Sequence, residues 1–348
     1  MESKKPILTV AIPAYNVEKY IDKTINSLVK SNQCDCMEVL IVDDGSTDAT
    51  KDMADALAKK YDFVKAIHQE NGGHGAAINT GIREAQGKYF KLLDGDDWVN
   101  PEGLAQLITV LDNIEDDFVL CDFHEVYMKE KRKKRVSYSF EKGRTLPLDD
   151  LRVKFFISMH SFTFRTEILK KLPKSIDCHS FYVDMEYMLY PLPFVRTFRY
   201  EAIDVYQYRL EREGQSVSAE GFRKHHKEDA NVLWQLIDYY NKYGTTKETA
   251  EAVQYYMTQR IFDMYYRHIL KSIWFLENQK GSLRHYLCGF DEKFAQVAPD
   301  LYDLYQQKDE GKKALTKVQL SLLRKTKFAI WPIVRCKKEI ENRWKKKK

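Results

Sequence analysis

Met37-Glu38-Val39-Leu40-Ile41-Val42 runs straight into Asp43-Asp44-Gly45-Ser46. Six mainly apolar residues that stop at two carboxylates and a glycine read as a strand buried on both faces, followed by a turn. The same pattern recurs on either side. Residues 7–12 end at Pro13-Ala14-Tyr15-Asn16, and residues 64–68 lead to Asn71-Gly72-Gly73-His74-Gly75. Tyr89-Phe90-Lys91-Leu92-Leu93 ends at Asp94-Gly95-Asp96-Asp97, and residues 118–123 predict a fifth strand.

Helix signals fill the gaps. Ile21, Ile25, Leu28 and Val29 share one face, Ser46 or Thr47 is placed to cap a helix through Met53, Ala56 and Leu57, and residues 75–85 carry a third. Pro101 suits the first position of a fourth, through Leu104, Leu107 and Leu111. Strands alternating with helices predict an α/β fold, a doubly wound, mostly parallel sheet flanked by helices. Such sheets bind ligands at the carboxyl ends of their strands. All four polar clusters fall there.

Residues 151–157 and 166–172 look helical and 197–208 extended. From Phe222 onward the chain reads as helix, broken at Gly244, with a second stripe through Val253, Met257, Ile261, Met264 and His268. The domain reading is a catalytic domain over 1–220, its ligand-binding part about 6–115 and its acceptor side about 116–220, then a helical region over 221–348 with a basic amphipathic tail.

Composition narrows the class. A 348-residue chain with 44% hydrophobic and 31% charged residues is ordinary globular protein, too long for a single small core. No apolar run is long enough for a transmembrane helix, and the start carries no signal-peptide pattern, so the expected location is cytoplasmic. Six scattered cysteines without a Cys-x-x-Cys pair argue against a disulfide framework or zinc site. Of the net charge of +5, much gathers at residues 129–135 and 324–348. The first run reads as a solvated hairpin or loop. The second, with Trp331 and Trp344 among lysines, reads either as an anionic-membrane contact or as a docked helix with a solvated end. No nucleic-acid motif accompanies either run.

Asp94, Asp96 and Asp97 would repel one another unless a cation joins them, and oxygen ligands select Mg²⁺ or Mn²⁺. A solvated acidic turn is the alternative, set aside because of the apolar strand before the run. Gly95 lets the turn close tightly. Asp43 and Asp44 can accept hydrogen bonds from a nucleoside, although a helix cap is a competing use. The glycine-rich stretch offers N–H groups to phosphate or serves packing alone; it matches neither Gly-x-Gly-x-x-Gly nor a P-loop. His74 is a phosphate contact or an exposed loop histidine.

Taken in order, Ile12-Pro13-Ala14-Tyr15-Asn16, Val42-Asp43-Asp44-Gly45-Ser46-Thr47-Asp48, Glu70-Asn71-Gly72-Gly73 with Asn79-Thr80-Gly81, and Leu93-Asp94-Gly95-Asp96-Asp97 resemble the signature of family 2 glycosyltransferases of the GT-A fold. The resemblance is strong over about residues 6–115 and weaker to about 215. It implies an inverting enzyme, a nucleoside-diphosphate sugar donor (most often UDP) and a divalent metal. Pro13, Ala14, Tyr15, Asn16, Asp43, Asp44, Asn71, Gly73, His74, Asp94 and Gly95 would then line the donor site, with Asp96 and Asp97 at the metal.

Phe181-Tyr182-Val183-Asp184-Met185-Glu186-Tyr187 resembles the family's catalytic-base segment, with Val183 where a glutamate is usual. Asp184 is the expected base and Glu186 its rival. On an extended segment the two share a face, and on a helix they do not. His160 resembles an acceptor-side histidine. The stretch 208–216 resembles a loop that closes over the donor, with Arg209 or Arg212 as a diphosphate clamp or a solvated charge. Ile78 stands where many relatives carry arginine. Acceptors implied by analogy are a cell-surface polysaccharide, teichoic acid or glycolipid precursor, made at the cytoplasmic face of a membrane. The rivals are a catalytically silent nucleotide-binding scaffold and a sugar nucleotidyltransferase. The latter needs a basic triphosphate loop after the first strand, which Pro13-Ala14-Tyr15-Asn16 does not supply.

Overall fold

The computed structural model describes residues 5–211, 219–276, 282–307 and 324–326. Arg212 and most of the basic tail lie outside the described residues. The chain divides into two units. One comprises residues 1–215 and 243–256, the other 216–242 and 257–348.

The first unit opens as the sequence pattern predicts. Strands β1 (Leu8–Ala14), β2 (Met37–Asp43), β3 (Val64–His68) and β4 (Tyr89–Leu92) alternate with helices α1 (Ile21–Val29), α2 (Thr50–Lys60) and α3 (His74–Glu84). β1 and β2 are buried along their whole length, as continuous apolar runs require. Their order is β3-β2-β1-β4, with every pair parallel. The winding reverses between β1 and β4, so the ends of those two strands form the switch point where such sheets bind ligands.

Beyond β4 the sheet becomes mixed. After β5 (Trp98–Val99) and α4 (Pro101–Asp112) come β6 (Phe118–Tyr127), β7 (Arg132–Val136), β8 (Thr145–Pro147) and β9 (Phe162–Arg165). α5 (Thr166–Lys170), α6 (Asp184–Leu189) and β10 (Thr197–Leu210) complete the unit's main elements. β9 inserts antiparallel between β4 and β6. β6 and β10 run parallel, and β5, β7 and β8 pair antiparallel at the margins. The expectation of a mostly parallel sheet therefore holds for its first half only. An antiparallel strand needs no crossover helix, so the βα rhythm does not announce it.

Two local expectations are corrected. Neither Ser46 nor Thr47 caps α2, whose N-cap is Ala49. Ser46 Oγ instead accepts from the Asn16 N–H, and the Thr47 N–H donates to Asn16 Oδ1, tying the first strand-end loop to the second. Residues 151–157 are not a helix: a short 3-10 turn, Leu148–Leu151, ends there. Residues 132–136 form the far arm of a hairpin with β6.

In the second unit α7 (Ala219–Tyr239) kinks at His225. Most of α8 (Glu251–Phe275), α9 (Ser282–Val297) and α10 (Pro299–Gln307) follow. The expected stripe is its core: Met257, Ile261, Met264 and His268 are all buried. His268 bridges Asp229 and Tyr286 through its two ring nitrogens. No helix among the described residues is long and apolar enough to cross a membrane.

Candidate active site

The acid run sits at the end of β4 and is held from β10. Asp97 is 2% exposed, and both its carboxylate oxygens accept hydrogen bonds, one from Tyr206 Oη at 2.7 Å and one from the Arg209 N–H at 2.7 Å. Tyr206 Oη also accepts from the Asp94 N–H, and Arg209 Nε donates to the Asp96 carbonyl. Burial, with Asp96 and Asp94 adding repulsion, pushes the Asp97 carboxyl well above the usual range. Asp97 is thus the most firmly held acid of the run, while Asp94 and Asp96 keep partial exposure.

His160 stacks on Tyr208, ring centroids 4.2 Å apart, and lies 4.5 Å from the Tyr206 ring. Burial, with Lys91 beside it, lowers its pKa to about 3, so it is neutral. Its Nδ1 meets Ser158 Oγ at 2.7 Å. Ligand atoms of Asp94, Asp97 and His160 all lie within 4.8 Å of one another, a grouping that omits Asp96. His160 therefore sits against the acid run. Lys91, also buried, donates to the carbonyls of His160 and Phe162.

The second and third strand ends are knitted together. Asp44 accepts from Gln69 Nε2 and from the N–H groups of Gly72 and Gly73, at 2.7 to 2.9 Å. Asp43 accepts from the Ser46 N–H and lies 3.0 Å from His68 Nδ1. Both carboxylates are buried, so their first use is to set loop shape. Tyr15, 50% exposed, and Asn16 at positive φ form the rim after β1, while Pro13 and Ala14 are buried.

The glycine-rich stretch is shaped by close approach. A Cβ on Gly75 would lie 2.0 Å from the Asp177 carbonyl oxygen, and one on Gly73 2.9 Å from the His179 nitrogen. Gly73 also has φ 84°, a left-handed conformation. The His179 N–H donates to the Gly72 carbonyl, and Asn79 grips both backbone groups of Ile176, at 2.8 and 3.0 Å. Residues 176–179 thereby dock on the donor-side loop and carry α6 with them. Asn71 is exposed at the start of this loop.

Asp184 is the first residue of α6, and Glu186 lies in the same helix. The helical geometry separates them: Glu186 is 0% exposed and accepts from the Asp177 N–H at 2.7 Å. Burial raises its pKa to about 7. Asp184 stays part-exposed and joins Asp94, Asp96 and Asp97 in raising the Tyr208 hydroxyl's pKa, after burial. Its charge also reaches His74, as do those of Asp96 and Asp44, opposing the burial that lowers the imidazole's pKa. His74 Nε2 lies 3.6 Å from Asp94 Oδ1. The third and fourth strand-end clusters thus meet at His74 and Asp94, the first lies alongside at Pro13 and Gly95, and Asp44 braces the third; the space among them is the candidate crevice, with Asp184 in electrostatic reach.

Sequence reading did not assign Tyr206 and Tyr208 to this site. Their spacing of two on an extended segment was the available signal. Asn79 was legible only as part of the third signature motif; its partner, main chain 97 residues away, was not. Arg209 is tied to the acid run and lies over Tyr20 and Trp98.

Residues 9–173 match the family model described as Glycosyl transferase family 2. EpsH of Bacillus subtilis (strain 168), which carries a glycosyltransferase name, is 30% identical over 229 residues. That stretch covers 60% of this chain and 66% of EpsH, just under two thirds of the relative's length. S. aureus TarS, crystallised with UDP-GlcNAc, superposes with a TM-score of 0.62 at 21% identity, covering 89% of this chain and 87% of that one. The Pyrobaculum calidifontis mannosyltransferase PcManGT, in complex with GDP-Man and Mn²⁺, gives 0.51 at 15% identity over 96% and 84%. At these identities the two structures speak to the fold, which is the GT-A type. Over residues 9–173 the chain is similar to glycosyl transferase family 2.

Proposed function

We propose that the chain is an inverting, metal-dependent glycosyltransferase. It would transfer a sugar from a nucleoside-diphosphate donor, a UDP-sugar, to a hydroxyl of a cell-surface polysaccharide, teichoic acid or glycolipid precursor. The observation that carries this reading is the acid run at the end of β4, held by Tyr206 and Arg209 and lying 3.6 Å from His74 of the glycine-rich loop. Asp97, Asp94, Asp96 and Asp184 all act on Tyr208, and Asp184, Asp96 and Asp44 act on His74, which puts Asp184 within electrostatic reach of the same groups. The match to the family model supports the reaction class, and the UDP-GlcNAc and UDP bound to TarS support the choice of donor.

The roles follow from the chemistry. Tyr15, Asn16 and the Asp44-braced loop at Asn71 to His74 would receive the nucleoside diphosphate. The donor set is carboxylate-rich, which suits Mg²⁺ or Mn²⁺. Asp96 and Asp97 would hold the ion, with Asp94 beside them; each Asp97 oxygen accepts one hydrogen bond and keeps a second lone pair for it. Such an ion supplies charge neutralisation at the departing diphosphate. Asp184 would take the proton of the acceptor hydroxyl as that oxygen attacks the anomeric carbon, the single displacement that inverts configuration. The basic residues beyond Arg324 would hold the enzyme at the cytoplasmic face of an anionic membrane.

A donor panel read by UDP release, with Mn²⁺ present, tests class and donor together. Turnover with at least one UDP-sugar is expected, falling about 100-fold or more in Asp184→Asn. UDP binding without turnover across a broad panel of donors and acceptors would replace this reading with the scaffold one. Full activity in Asp96→Asn would refute the metal assignment.

A further inference from the structure

Strand alternation turns Gln207 of β10 away from the face that carries Tyr206 and Tyr208. On that other face lies a cavity of about 660 Å³ whose wall includes Lys23, Asn26, Lys30, Trp98, Lys133 and Gln207. Lys23 and Asn26 come from one stripe of α1, Lys30 from its C-cap, Trp98 from β5 and Lys133 from β7. None of them belongs to the crevice described above.

The charge on this wall is one-sided. Of the four basic residues in β7, Arg132 pairs with Glu130, Lys134 with Glu125 and Arg135 with Asp122. Lys133 has no carboxylate partner among the described residues; its ammonium reaches only Gln207 Oε1, at 3.4 Å. Lys23 and Lys30 likewise make no ion pair among the described residues. Lys23 Nζ sits 3.1 Å above the Trp98 ring. The wall's one acid, Asp204, offsets one of the three positive charges and leaves an excess of two. Its carboxylate accepts from Asn100 Nδ2 and Gln207 Nε2 and lies 2.8 Å from His124 Nδ1. Three ammonium groups around one hollow repel one another, and an anion placed between them removes that cost. Burial, then Arg209, then Lys133 lower the pKa of Lys23 to about 8, with Asp97 of the acid run opposing them.

We propose that this cavity is a second binding site, for a phosphate or phosphodiester group, distinct from the donor crevice. Lys23, Lys30 and Lys133 supply the charge, the Asn26 amide supplies a donor, and Trp98 forms the wall. The site does not depend on the catalytic reading above: it stands whether or not the enzyme turns over a UDP-sugar.

Two probes separate the sources of such a group. Inorganic pyrophosphate, with EDTA present so that no divalent ion recruits it to the acid run, tests a soluble phosphate. Phosphatidylglycerol vesicles, against phosphatidylcholine vesicles, test a lipid headgroup. Full-length wild type and Lys23→Gln/Lys133→Gln are compared by tryptophan fluorescence, with Trp98→Phe identifying the reporter. The single variant Lys133→Gln serves if the double variant melts early. Saturable binding of either probe, weakened about tenfold or more in the lysine variant, is the expected result, and the probe that binds names the source. UDP binding with Mn²⁺ should stay within about twofold of wild type, since these lysines do not touch that crevice. Equal binding by wild type and variant, or no saturable binding of either probe, would overturn the proposal.

Discussion

Tyr206 donates its hydroxyl to Asp97 across 2.7 Å and accepts the Asp94 N–H at 3.1 Å, so a single phenol on β10 braces both ends of the acid run. The Arg209 N–H takes the other oxygen of Asp97. An acid run that would repel itself is thereby held by an element laid down more than a hundred residues later in the chain.

Tyr206→Phe removes one donor from a buried carboxylate and one acceptor from the Asp94 N–H. Leaving buried polar groups unmet costs about 1–3 kcal/mol. The ring remains, so its packing against His160 should survive. A lower melting temperature is expected, with weaker Mn²⁺ and UDP binding by calorimetry. Unchanged metal and UDP affinity would show that the brace does not position the site.

Asn79→Ala releases Ile176 from two hydrogen bonds and frees residues 176–179 from the glycine-rich loop. Stability should fall by about 1–3 kcal/mol. If that docking carries α6, kcat should fall more than the donor KM rises, because Asp184 is displaced while donor contacts persist. Steady-state kinetics with the best donor of the panel would read the split.

Gly75→Ala is a sterically sharper version of the same test. The added methyl would overlap the Asp177 carbonyl oxygen at 2.0 Å, which is backbone and cannot step aside cheaply. Partial unfolding or loss of transfer is expected, whereas Gly143→Ala tests backbone conformation alone: no atom lies within 4 Å, but φ is +79°. Wild-type activity in Gly75→Ala would mean that the loop at 176–179 moves freely.

Much of this was legible in the sequence, for a physical reason. Residues 37–43 and 89–92 are buried on both faces, and burial on both faces leaves a continuous apolar signature. What stayed hidden was long-range pairing. β9 reads as a short aromatic segment, and only the register Phe90↔Phe164 and Phe118↔Phe164 shows that it separates β4 from β6. Asp43 and Asp44 were recognisable as important residues, but their partners His68, Gly72 and Gly73 come into reach only once β2 and β3 align. The pairing of His160 with Tyr208 has the same origin, since β9 and β10 meet only through β6.

The two acids of α6 give the most discriminating experiment. Asp184→Asn should fold normally and lose transfer. Glu186→Gln should keep transfer, because Glu186 is buried and Gln can still accept from the Asp177 N–H. It should also change how stability depends on pH. The Glu186 carboxyl is raised from 4.5 to about 7 by burial, so between those values the folded state holds a proton that the unfolded chain has released. Stability must therefore fall as pH rises through that window and level off above it. At roughly 1.4 kcal/mol per pKa unit, the fall attributable to this group is at most about 3–4 kcal/mol. In Glu186→Gln that decline should vanish, leaving the variant at least as stable as wild type at pH 8 relative to pH 5. Urea denaturation at the two pH values, alongside the transfer assay, checks both halves. Loss of transfer in Glu186→Gln with retention in Asp184→Asn would exchange the roles of the two residues.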